Sequence, residues 1–298
     1  MKNIWVTGAS GQVGRAIRQL TTAQNYVFLS HEQLDICDIQ SLESFAAINP
    51  PAVIINLAAF TKVDHAENRP DIATAVNHWG AANLAKISKL TGALLIHLST
   101  DYVHDGEKKE AYVETDDTNP LQIYGLTKLS GERAIQTITP TYIILRTSWV
   151  FSEFENNFVS TMYNLASDRA EVSVVADQIG GPTGASSIAR CLVMLAEQWE
   201  KFARSMPCGL YHFAGQPYVS WANFADQLFT EIQRQTKSAR RVRVIPIAAK
   251  DYPATCLRPR NSMLDCSKFV ETFGWNDLSW MCDLEQAVSR LTSSERIG

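Results

Sequence analysis

A tyrosine and a lysine four residues apart, in Tyr124-Gly125-Leu126-Thr127-Lys128, are the residues of this chain best suited to acid–base chemistry. At that spacing on a helix both side chains share one face. A lysine ammonium beside a phenol favours phenolate and lowers the tyrosine pKa from about 10 towards neutrality. A phenol tuned in that way exchanges a proton with a carbonyl or alcohol oxygen. The same pair also occurs on ordinary helix surfaces, so its weight comes from a second segment. Ser99-Thr100-Asp101-Tyr102 follows the apolar run 93–98, and a hydroxyl at Thr100 would meet the oxygen that Tyr124 protonates. In a parallel sheet, ligands bind at the carboxyl ends of strands.

A cofactor site is readable upstream. Gly8, Gly11 and Gly14, with Gln12 and Val13 between the last two, separate a first apolar run from a stretch with helical spacing. The first glycine permits a tight turn, the second admits a pyrophosphate to the backbone, and the third lets helix and strand pack closely. The helix N-terminus adds partial positive charge. A carboxylate at the end of the second strand would bind the ribose hydroxyls of NAD and repel the extra phosphate of NADP. Ser30 and His31 stand there instead, with Arg15 and Arg18 on the first helix either in reach of a phosphate or simply solvated. This favours NADPH, with NADH possible. Asp38 is placed to meet the adenine side, and Ala58-Ala59-Phe60 to line the floor beneath it.

The elements that must hold these residues alternate through the first half. Strands are predicted at 4–6, 25–29, 53–57, 93–98 and 142–145, and helices at 13–20, 41–47 and 71–90, the last ending near Gly92. Near-continuous apolar strands separated by helices predict an α/β fold, a Rossmann-type doubly wound parallel sheet. After about residue 147 loop formers gather at 151–157 and 178–185, and helices are predicted at 188–202 and 221–236. The expected organisation is an NAD(P)-binding domain over 1–148 and a smaller substrate-binding lobe over 149–298. From the latter, segments 184–204 and 240–247 are expected to return to the first domain.

The 298 residues carry a net charge of −4 and are 46% apolar, which suits a packed globular protein and argues against a nucleic-acid footprint or a polybasic membrane surface. Six scattered cysteines, without a CxxC pair, argue against a disulfide framework or a zinc site, and no metal is expected. No apolar stretch is long enough for a signal peptide or a bilayer span, so a cytoplasmic protein is expected.

Taken in order, these segments resemble the extended short-chain dehydrogenase/reductase family, and within it the dTDP-4-dehydrorhamnose reductases. The resemblance spans nearly the whole chain. It rests on 8–14 (GASGQVG), 56–61 (NLAAFT), 63–67 (VDHAE), 99–103 (STDYV), 124–128 (YGLTK) and 146–150 (RTSWV). In the second half it rests on Asn156-Asn157-Phe158, on 177–183 (DQIGGPT) and on 258–262 (RPRNS), the last two being the most specific. The resemblance implies reduction of the C4 keto group of dTDP-4-dehydro-β-L-rhamnose by NADPH or NADH, the last step of dTDP-rhamnose biosynthesis, in a monomer or homodimer. Tyr124 would supply the proton, Thr100 would bind the sugar oxygen, and Lys128 would tune Tyr124 and grip the nicotinamide ribose. Ile39, Thr61 and Leu98 join the implied cofactor contacts. Asp101, Trp149, Asn157, Arg258 and Asn261 form the implied substrate set, with the arginine fork suited to a diphosphate. Trp149 is equally well read as a core aromatic, and Asn156, Asn157 and Gln178 as loop-ordering residues.

Two departures stand out. His104 replaces the usual apolar residue after 99–103, where it either repacks the site or faces solvent. The first helix begins Arg15-Ala16 without the acid through which some relatives pair around magnesium. Three rivals share the fold. A 4,6-dehydratase needs a second carboxylate where this chain has Tyr102. A regulatory subunit would bind a protein rather than turn over a sugar. A reductase of the opposite face would yield 6-deoxy-L-talose.

Overall fold

Six short runs rich in aliphatic residues pair into one sheet in the computed structural model, which describes residues 3–154, 157–202, 205–236, 241–253 and 255–295. They are β1 (Asn3–Thr7), β2 (Tyr26–Leu29), β3 (Pro51–Asn56), β4 (Leu94–Thr100), β5 (Tyr142–Thr147) and the strand Gly209–His212. Their spatial order is Gly209–His212, β5, β4, β3, β1, β2, and every neighbouring pair is parallel. The helices in chain order are α1 (Gln12–Leu20), α2 (Ile39–Ile48), α3 (Val63–Asn68), α4 (Pro70–Thr74), α5 (Ala81–Thr91), α6 (Ile123–Ile138), α7 (Phe158–Asp168), α8 (Ala185–Phe202) and α9 (Trp221–Thr236), with further helices at Ser267–Phe273 and Met281–Glu295.

Alternation along each strand divides the core in two. Ile4, Val6, Val53, Ile55 and Ile96 face α1 and α8, where Ile17, Ile188 and Leu192 complete one cluster. Trp5, Ile54, Leu95 and Ile144 face the other way, onto Leu42 of α2, Leu84 of α5 and Ile135 of α6. Burial on both faces is why these strands read as unbroken apolar runs rather than as alternating ones. From β1 the chain first steps outward to β2 and then crosses back to β3 on the other side of β1. That reversal opens a crevice outside the carboxyl ends of β1 and β3, the usual ligand position in such sheets.

The helix predicted over 71–90 is interrupted. Between α4 and α5 the backbone widens into a π turn, Ala75–Gly80, which buries Asn77. Such turns insert an extra residue and recur at functional sites. The helix then ends as expected at Gly92, in the left-handed conformation at φ 72°.

The second lobe packs α7, α9 and the Met281–Glu295 helix around Phe151, Val159, Phe224, Trp280 and Val288. The expectation for 240–247 is corrected here. Arg243–Ile247 pairs in parallel with Glu171–Val175 and never reaches the main sheet, whose edge beside β5 is taken by Gly209–His212. Residue 240 lies outside the described residues.

Candidate active site

The glycine loop sits where the reversal opens the sheet. Gly8 has φ 66°, and a Cβ on it would lie 2.6 Å from the Ala58 nitrogen; one on Gly14 would lie 2.6 Å from the Ala9 Cα. Only glycine lets the β1–α1 turn rest on the end of β3 and α1 rest on the turn. No side chain caps α1 at Gly11, so its first N–H groups are open to an anion. Val13 is buried beneath the turn, and Gln12 accepts a hydrogen bond from the Ser152 hydroxyl at 2.6 Å. Across the crevice Ala58, Ala59, Phe60 and Thr61 leave β3. Asn77 holds that segment by accepting from the Phe60 N–H (2.8 Å) and donating to its carbonyl (3.2 Å). A cradle of this shape fits the pyrophosphate of a dinucleotide.

Several residues expected around the cofactor have other partners. Arg15 and Arg18 lie over the rings of Phe154 and Phe28, at 4.0 and 4.1 Å. Asp38 caps α2, which begins at Ile39, and accepts from the N–H groups of Gln40 and Ser41. His31 is exposed, 3.6 Å from Asp35. Beside Ser30 stands Glu32, an acid passed over in the sequence, whose carboxyl is held below the usual range by the Ser30 hydroxyl. Its position two residues beyond the expected one concealed it.

The acid–base group is assembled by contacts at the start of α6. Glu67 of α3 accepts the Ile123 N–H at 2.9 Å and so caps the helix from outside. Gly125 admits the Tyr102 carbonyl, which would lie 2.1 Å from a Cβ. Tyr124 is thereby pressed edge-on against the Tyr102 ring, centroids 5.8 Å apart. Its hydroxyl meets that of Thr100, which also donates to Asp101 Oδ1 at 3.0 Å and accepts the Tyr102 N–H. Burial pushes the Tyr124 phenol up to about 12, against the pull of the Thr100 hydroxyl. This reverses the expectation that Lys128 drives Tyr124 towards phenolate. Lys128 is itself buried, and its Nζ donates to the Leu98 carbonyl at 2.7 Å and lies 3.2 Å from His97 Nε2. Burial draws this lysine down to about 8, with Glu132 opposing. The half-buried Tyr124 therefore carries its proton at neutral pH.

Around this centre, Asp101 is raised to about 6 by burial, against the pull of the Ser262 and Thr100 hydroxyls, and its Oδ2 is buried. Trp149 has φ 47°, a conformation costly for a non-glycine residue. Its ring stacks on Trp221 at 3.6 Å, and Gly180 makes room for its edge. Arg258 pairs with Asp64 of α3 at 3.1 Å and leaves Nε unpartnered. Asn157 and Asn261 order their own loops, the first as the cap of α7 and the second by donating to the Lys108 and Glu110 carbonyls. Asn156 lies outside the described residues.

His104 does not face solvent. It is 1% exposed, stacked on Tyr112 at 4.1 Å, with Nε2 3.3 Å from Arg146. Burial lowers His104 to about 4 and the neighbouring His212 to about 3, in both cases with Arg146 adding to the effect. Both imidazoles are thus neutral in the folded chain but take a proton below about 6.5 once unfolded. The unfolded state binds more protons in that range, so the stability they contribute is present above about pH 6.5 and lost on acidification towards 4. The melting temperature should fall between those values, less steeply in His104→Phe. A flat profile across that window would remove this account.

A parallel sheet with a glycine turn after β1 and a tyrosine and a lysine four residues apart on α6 defines the architecture of an extended short-chain dehydrogenase/reductase. Residues 1–293 match the family model described as RmlD substrate binding domain, and the chain belongs to that family. It is 41% identical over 283 residues to the dTDP-4-dehydrorhamnose reductase of Aggregatibacter actinomycetemcomitans, covering 94% of this chain and 96% of the relative. A crystal structure of a dTDP-4-dehydrorhamnose reductase from Clostridium acetobutylicum aligns with TM-score 0.88 at 35% identity, over 98% of this chain and all of the other. The reductase from Bacillus anthracis, solved in complex with NADP, aligns with TM-score 0.84 at 32% identity, over 99% of this chain and all of the other.

Proposed function

We propose that this chain is an NADPH-dependent oxidoreductase, with NADH as the alternative donor, that converts dTDP-4-dehydro-β-L-rhamnose to dTDP-β-L-rhamnose. The observation that carries this reading is the Tyr124 hydroxyl joined to that of Thr100 at the carboxyl end of β4. A nicotinamide bound in the crevice supplies the hydride that reaches C4. Tyr124 then gives its proton to the alkoxide oxygen, and Thr100 holds that oxygen in place while charge develops. The buried Asp101 carboxyl accepts a sugar hydroxyl, and Trp149 covers the ring. Arg258, released from Asp64, takes the diphosphate. Asn157 and Asn261 serve by fixing the loops behind these groups. Among the described residues no helix is long and apolar enough to cross a membrane.

Turnover of NADPH with enzymatically prepared dTDP-4-dehydrorhamnose tests the reading, with NADH in parallel and the product identified by NMR. Oxidation yielding dTDP-L-rhamnose is the expected result. The talose epimer would keep the chemistry and change the product, and no oxidation with either coenzyme would overturn the proposal.

A further inference from the structure

Behind the acid–base pair, a row of buried polar side chains crosses the sheet from β1 through β3 and β4 to α6. Thr7 Oγ1 donates to Asn56 Oδ1 at 2.7 Å, Asn56 Nδ2 meets His97 Nδ1 at 2.8 Å, and His97 Nε2 meets Lys128 Nζ at 3.2 Å. All four residues are buried. The donor and acceptor roles along the row follow from one fixed end. The Ala58 N–H donates to Asn56 Oδ1 at 3.1 Å, and a backbone N–H can do nothing else. That contact sets the orientation of the Asn56 amide, because turning it over would point an NH₂ group at the Ala58 N–H. Asn56 Nδ2 is therefore the donor to His97 Nδ1, which must accept.

A neutral imidazole carries a single N–H. With Nδ1 accepting, that N–H is on Nε2, pointed at the lysine nitrogen. An ammonium there would set N–H against N–H, whereas a neutral amine accepts the imidazole N–H and still donates to the Leu98 carbonyl. We infer that Asn56 and His97 are positioning residues for the reduction, locking His97 as the Nε2–H tautomer and thereby disfavouring the protonated form of Lys128.

The surroundings agree. Burial, with the adjacent Lys128, holds His97 well below its ordinary range, so the doubly protonated imidazole is excluded. The groups that act on the lysine are His97 and the Leu98 carbonyl from β4 and Glu132 from its own helix. Glu132 and the Leu98 carbonyl favour the ammonium, and Arg146 neutralises Glu132 through a 2.7 Å pair. A lysine drawn towards neutral pH changes charge in the range where the enzyme works, and so sets the alkaline limb of the rate profile. This deepens the reading of Lys128 as the partner of Tyr124, but its test does not depend on turnover.

The test is NMR on the full chain. Imidazole ¹⁵N shifts report the His97 tautomer, and the Lys128 ¹³Cε resonance, assigned by its loss in Lys128→Met, reports the lysine titration. The native protein should show His97 protonated at Nε2. In Asn56→Asp the new carboxylate still accepts from Ala58 and Thr7 but also accepts from His97, so the imidazole proton should move to Nδ1. The Lys128 midpoint should then rise by about one pH unit or more, and the alkaline limb of kcat with it. The carboxylate's own charge acts in the same direction, so His97→Phe supplies the sign. Removing an N–H that opposes the ammonium raises the Lys128 midpoint; removing an acceptor that supports it lowers the midpoint. Native His97 protonated at Nδ1, or a Lys128 midpoint unchanged or lowered in His97→Phe, would overturn the inference. Loss of keto-sugar reduction with these shifts intact would instead count against the proposed function alone.

Discussion

Tyr124→Phe is expected to lower kcat by about 10²–10⁴-fold, the range for losing a positioned proton donor, while NADPH binding stays near its native value. Phenylalanine keeps the ring that meets Tyr102 edge-on and the packing allowed by Gly125, so only the O–H is lost. The alkoxide formed at C4 would then have the Thr100 hydroxyl beside it and no proton donor matched to it. Coenzyme affinity by fluorescence titration and single-turnover rates separate binding from chemistry. Because burial raises Tyr124 to about 12 and lowers Lys128 to about 8, an alkaline loss of activity in the native enzyme should follow the lysine. Near-native turnover in Tyr124→Phe would remove the assignment on which the mechanism rests.

Arg146→Met is expected to cost about 3–5 kcal/mol of stability, the penalty for stranding one member of a buried ion pair. Arg146 of β5 grips Glu132 of α6 through Nη2 at 2.7 Å and Nε at 3.1 Å, and the two side chains are 3% and 2% exposed. Ser99 donates to the same carboxylate, and His104 lies against the guanidinium. Without the arginine, a carboxylate remains in the core with one hydroxyl for a partner. At roughly 2–4 °C per kcal/mol, the melting temperature should drop by roughly 6–20 °C, and urea unfolding should give the matching loss. The double variant Arg146→Met/Glu132→Leu should recover much of it, since an apolar pair of similar volume removes the stranded charge. A single-variant loss below about 1 kcal/mol would show that the pair is not buried in solution as it is here.

The pair also bears on function, because it joins the helix that carries Tyr124 and Lys128 to the strand that leads to Trp149. Gly125 beside the Tyr102 carbonyl, Glu67 at the Ile123 N–H, and Asn77, which donates to Thr127 Oγ1 at 3.1 Å, act on the same helix. The acid–base residues are held by the packing of α3, the π turn and the turn after β4, rather than by the intrinsic preferences of α6.

What could be read from the chain alone was whatever depends on neighbours in sequence. Apolar runs of strand length, the helical spacing between them and glycines at positions 8, 11 and 14 specify a doubly wound sheet with a dinucleotide loop, because each signal is local. The Tyr124–Lys128 spacing likewise places both side chains on one face without reference to anything else. Packing decided the rest. Asn56 and His97 look like ordinary members of apolar strands until β3 and β4 pair and bring them within 2.8 Å across 41 residues. His104 reads as a stray polar residue until Tyr112 and Arg146 close over it. Arg15, Arg18 and Asp38 offered charge to a cofactor, yet two aromatic rings and a helix end take up those groups first. Most telling is the sign at Tyr124, where a neighbouring lysine argues for a lowered pKa and burial raises it. Desolvation depends on every atom that displaces water around a group, so it is settled by tertiary structure and leaves no trace in residue spacing.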